Sequence, residues 1–170
     1  DLVSQSYPTN SPISSRPDWR PAQGKPASDL ADMQKQALDR FQVSYGICNP
    51  LYGVQMVFSE DMQDAFCRAL NDWLAKEWLD KDARLRGSIV IPTQSVEKSV
   101  AEIERCAKDK RFVQVLMLVM GDMPLGKRHY WPIYAVAERL GLAVGIHAGS
   151  AYHNPPTSVG WGSYHIEDYV

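Results

Sequence analysis

Four short apolar runs, each set between segments of helical periodicity, constrain this chain most. They lie at residues 43–48 (VSYGIC), 85–92 (LRGSIVIP), 112–121 (FVQVLMLVMG) and 143–150 (AVGIHAGS). Each has strand length and strand composition. Before the first, Leu30, Met33, Ala37, Leu38 and Phe41 recur at helical spacing behind a cap at Ser28. Ser59 is expected to cap a second helix with Met62, Phe66, Ala69, Leu70, Trp73 and Leu74 on its inward face. A third begins at Ser95 and turns Val96, Val100, Ile103 and Ala107 inward. The fourth opens on Trp131-Pro132, where proline costs no hydrogen bond, and stops at Gly141. Strands alternating with helices build a parallel sheet with right-handed crossovers, so the fold class is α/β with flanking helices.

Two architectures fit that order. One is an open, four-stranded, doubly wound sheet. The other is a partial (β/α)8 TIM barrel, since a whole one needs eight strands and about 250 residues. The longer loops, at 49–58, 121–130 and 148–162, all follow carboxyl ends of strands, where α/β folds place their chemistry. The inward-facing Gly145 and a last helix that only begins near Val170 favour the barrel. The expected organisation is an irregular proline-rich arm over 1–27 and a partial barrel over 28–170.

Composition narrows the function. A formal net charge of −2 gives no reason to expect nucleic acid or an anionic membrane as partner. No apolar run approaches the ~20 residues that cross a bilayer. Cys48, Cys67 and Cys106 form no CxxC or zinc-finger pattern. Cys67 and Cys106 read as small buried apolar residues, and a reducing cytoplasm fits this usage. Nucleotide loops of the GxGxxG or GxxxxGK[ST] type are absent, as is a GxSxG elbow. In the arm, Arg16 and Trp19 are candidate substrate-binding residues, with Tyr7 and Trp19 expected to pin the arm to apolar ground.

The last run carries the chemistry. As a strand it turns Ala143, Gly145 and His147 to one side, and Val144, Ile146 and Ala148 to the other, packed under a helix. His147 then stands at a carboxyl strand end in a nearly bare concave space. A neutral imidazole on rigid backbone there suits a metal, although no HxH or HExxH pair accompanies it.

The pieces LRGSIVIP, SVEKSVAEIERCAKDKRFVQVLMLVMG and HYWPIYAVAERLGLAVGIHAGS resemble the amidohydrolase-related family of TIM-barrel metal-dependent hydrolases that includes aminocarboxymuconate semialdehyde decarboxylase. NPPTSVGWGSYHIEDYV resembles the segment that follows the fifth strand in that family. The resemblance implies one divalent metal ion, zinc by expectation, at the barrel mouth. In the family its ligands are a His-x-His pair on the first strand, a histidine on the fifth and an aspartate on the eighth. His147 falls on the fifth-strand position, which makes the four runs strands 2 to 5. No His-x-His pair is present, nor the later-strand residues. The expectation is therefore a fragment of a metal-dependent hydrolase or non-oxidative decarboxylase of a small carbonyl or carboxylic acid compound. Alone it would be inactive, and its open sheet edges would favour a homo-oligomer. The alternative is a complete, non-catalytic α/β module that binds a ligand or partner.

Overall fold

A computed structural model describes residues 16–19, 28–51, 54–57, 59–119 and 123–147. Among the described residues four strands form, β1 (Gly46–Cys48), β2 (Leu85–Val90), β3 (Phe112–Leu118) and β4 (Ala143–His147), all parallel and in the order β1-β2-β3-β4. The sheet curls into a half-barrel with its helices on the outer side, a partial TIM barrel. The first strand is shorter than expected: residues 43–45 lie outside it.

Local hydrogen bonds and one glycine mark the helix boundaries. Helix α1 (Leu30–Met33) continues as a wider helical turn over Gln34–Asp39. Its cap is Asp29 rather than the expected Ser28, with the Asp29 carboxylate accepting from Asp32 N at 2.9 Å. Helix α2 (Glu60–Leu74) likewise widens over Ala75–Leu79, where Asp80 N bonds Ala75 O at 2.9 Å. Helix α3 (Val96–Cys106) is capped by the Ser95 side chain. Helix α4 (Trp131–Leu140) ends at Gly141, whose φ of 67° suits a residue with no Cβ.

The main core lies between the outer face of the sheet and the helices. Leu85, Ile89 and Ile91 of the β2 run and Val115 and Met117 of β3 meet Ile103, Cys106, Ile133, Val136 and Ala137 there. Cys67 and Cys106 are buried as expected, and burial pushes both thiols above the ordinary range.

Two inward faces differ from expectation. Helix α2 buries Gln63, Cys67, Asn71 and Leu74, while Met62, Phe66 and Trp73 are 52%, 37% and 47% exposed. The reason is hydrogen bonding. Strand β1 stops at Cys48, opposite Gly87, so β2 runs on with its β1-side edge open. Asn71 fills that gap: its Nδ2 donates to Val90 O and its Oδ1 accepts from Val90 N, both at 2.9 Å. In β4, Val144 packs on the core but Ile146 is 58% exposed, with no described helix over it.

Two carboxylates tie the elements together. Fully buried Glu102 accepts from Asn71 Nδ2 and from Arg105 Nε and Nη2, each at 2.7 Å. Burial pushes its carboxyl up, but the bonds from Arg105, Asn71 and Cys106 outweigh this and leave it below the usual range. Asp82 accepts from Gln34 Nε2 at 2.8 Å and from the Arg84 fork, joining α1 to the start of β2; Arg84 holds its carboxyl well below the usual range. With folded values depressed, these groups stabilise fully above the unfolded carboxylate pKa of about 4, and the contribution is lost as pH falls through the folded values. The urea midpoint should thus hold steady from about pH 7 to 5 and fall below about pH 4. Asp82→Asn should show a shallower acid limb; an unchanged one refutes the assignment.

Candidate active site

Alternation along β2, β3 and β4 puts three tiers of side chains on the inner face of the half-barrel. At the first, Ser88, Gln114 and Ala143 share a register. Ser88 Oγ donates to Asn49 Oδ1 at 2.6 Å, and Gln114 Nε2 reaches Ser88 Oγ at 2.9 Å and Asn49 Oδ1 at 3.1 Å. The second tier is Val90, Leu116 and Gly145; the third pairs Leu118 with His147. The deepest tier is thus polar and the second apolar, with His147 beside Leu118 in the third.

Gly145 is less bare than its sequence suggests. A Cβ there would fall 2.5 Å from Gln114 Cδ, so the Gln114 carboxamide already fills the space. His147 stands one tier further toward the mouth, half-buried, with its backbone carbonyl accepting from Val119 N at 3.2 Å.

The loop after β1 is fixed across the same end of the sheet by three glutamines. Gln55 Nε2 donates to Leu116 O at 2.9 Å. Fully buried Gln63 donates to Gln55 O at 3.0 Å and to Val57 O at 3.2 Å, and accepts from Gln94 N at 3.2 Å. Gln94 Nε2 also donates to Val57 O. Beneath that loop Val54, Cys67, Val90 and Leu116 make a second apolar cluster. Sequence reasoning missed Gln63 and Asn71 because it followed hydrophobicity alone. The signal was available in the spacing 63, 67, 71, a helical stripe of polar and small residues that leads to Leu74.

The candidate residues fall into two places. Trp19 lies against Phe41, ring centroids 6.0 Å apart, on the approach to the amino end of β1. Arg16 stacks over Trp19 at 5.6 Å while its guanidinium closes on Asp18 at 2.8 Å. His147 is at the opposite, carboxyl end of the strands. Tyr7, Ala148 and the expected helix near Val170 lie outside the described residues. No group of three or more His, Cys, Asp or Glu able to hold a metal occurs among the described residues. A catalytic zinc needs three protein ligands, and the described residues do not supply such a set.

The fold defines a partial (β/α) barrel, with His147 at the carboxyl end of its strands. The chain belongs to the amidohydrolase family, whose profile matches residues 5–166. It is 25% identical over 127 residues to a gamma-resorcylate decarboxylase from Polaromonas sp., covering 70% of this chain and 39% of that protein. The chain therefore spans well under half the length of that relative. Its fold resembles that of 2,6-dihydroxybenzoate decarboxylase from Rhizobium, with a TM-score of 0.65, 21% identity, and 83% of this chain matched to 44% of the other. A dihydroxybenzoic acid decarboxylase from Polaromonas sp., solved with bound manganese and the inhibitor 2-nitroresorcinol, matches with a TM-score of 0.61 at 25% identity, over 77% of this chain and 40% of that one. No described helix is long and apolar enough to cross a membrane.

Proposed function

We propose that this chain is part of a metal-dependent, non-oxidative decarboxylase of a small aromatic acid, to which it contributes His147 as one ligand of a divalent cation, zinc or manganese. The observation that carries the reading is the place of His147. It is the last residue of β4, on the inner face, at the end of the sheet where barrels of this kind do their chemistry. The decarboxylases among its relatives favour carbon dioxide loss over hydrolysis. Apolar Leu118, beside His147 on the inner face, suits an aromatic ring, and Asn49 and Gln114 offer polar partners deeper in. Since the described residues supply one ligand, the 170-residue chain is expected to bind the cation weakly and to turn nothing over by itself.

Manganese supplies the test, because it broadens the NMR signals of nearby protons. At submillimolar Mn2+, the His147 ring resonances should broaden first, and His147→Ala should abolish the effect while leaving the remaining spectrum folded. Broadening centred elsewhere, or unchanged in the variant, would overturn the ligand assignment. Chelator-sensitive release of carbon dioxide from 2,6-dihydroxybenzoate by the 170-residue chain would overturn its expected inactivity.

A further inference from the structure

The descent from β3 into α4 presents two cations, Lys127 and Arg128, followed by His129, all exposed. Its backbone is well tied. Lys127 N bonds Pro124 O and Tyr130 N bonds Lys127 O, each at 3.0 Å, and Tyr134 Oη donates to Leu125 O at 2.7 Å. Tyr130, 2% exposed, roots the turn in the core, and His129 stands edge-on to its ring at 5.0 Å. The Arg128 guanidinium lies over the Trp131 ring, 5.2 Å from its centre.

Elsewhere among the described residues Arg40 and Arg86 also lie over aromatic rings, those of Phe41 and Tyr45, with no ion pair, while the other arginines are neutralised. Arg68, Arg84, Arg105, Arg111 and Arg139 each close on a carboxylate. Lys127, Arg128 and His129 have no carboxylate within ion-pair distance among the described residues. A guanidinium stacked on an aromatic face keeps its edge N–H groups available, and that fork matches a carboxylate. The segment also follows a carboxyl strand end, so it sits at the same end of the sheet as His147. On a chain of net charge −2, it is a local field of the opposite sign.

We propose that Arg128, held on Trp131 and assisted by Lys127, is a docking site for the carboxylate of a small organic acid at the rim of the barrel. The proposal deepens the decarboxylase reading by assigning the group that first meets an anionic substrate. Its readout needs neither metal nor turnover, so the two can fail separately.

The test is a titration of the 170-residue chain with benzoate, benzamide and inorganic phosphate, followed through the Arg128 Nε–H and Trp131 indole N–H signals. Benzoate should shift both signals saturably, and benzamide should bind at least about fivefold more weakly, the scale of one exposed charged pair. Arg128→Gln should weaken benzoate binding about fivefold, with the Trp131 signal reporting its fold intact. Lys76→Gln, a cation on α2, should leave it unchanged. Equal shifts by benzoate and benzamide, tighter binding of phosphate, or an Arg128→Gln variant that binds benzoate normally would each overturn the proposal. His147 broadening by Mn2+ without benzoate binding would sink this site alone; the reverse would sink only the metal-ligand assignment.

Discussion

Replacing Asn71 by leucine is expected to destabilise the fold by about 3–5 kcal/mol. The leucine fits the helix and restores apolar volume, yet it strands the N–H and C=O of Val90, both paired with Asn71 at 2.9 Å, inside the protein. Each orphaned buried group costs roughly 1–3 kcal/mol, and Glu102 loses a donor as well. Against a total stability of about 5–15 kcal/mol, that is a large share. Urea unfolding should show a lower midpoint with an unchanged slope. Asn71→Asp should be worse still at neutral pH, because it puts a second carboxylate against Glu102, and should recover partly on mild acidification. A leucine variant within about 1 kcal/mol of the parent would mean that water or another side chain takes over the edge.

A second large effect is expected at Gly87. A Cβ at this position of β2 would lie 2.8 Å from two ring carbons of Phe112 and 3.2 Å from a methyl of Leu74. Phe112 is 5% exposed and its ring has nowhere to retreat. Gly87→Val should therefore cost about 2–3 kcal/mol through overpacking. Pairing it with Phe112→Leu should be less damaging than the sum of the two changes, with a coupling of about 1 kcal/mol or more. Simple additivity in thermal or urea unfolding would show that the strand shifts rather than the ring.

The alternation of runs made the parallel order legible, and Gly141, Pro132 and Ser95 marked helix ends where the structure has them. Burial was harder to foresee. Hydrophobicity located an apolar stripe at Met62, Phe66 and Trp73, but α2 turns Gln63 and Asn71 inward because backbone groups beside it need partners. Which strand stops early, leaving an edge to be satisfied, is a tertiary fact that a single sequence does not display. Ile146 differed for a related reason: its pattern implied a covering helix, and no described helix covers it. At the site, strand register placed His147 on the inner face together with Gly145. What the pattern could not show was the Gln114 side chain lying across Gly145, since that contact depends on how β3 and β4 are matched.

The three glutamines that fix the loop after β1 carry a consequence for motion. Gln55, Gln63 and Gln94 couple residues 55–57 to β2, β3 and α2 at once, so freeing this part of the rim means breaking several bonds made by buried groups. Such an opening belongs among the costly, slow fluctuations of a protein rather than the easy ones. This stretch behaves as masonry, and any gate at this end of the barrel must hang from a different loop.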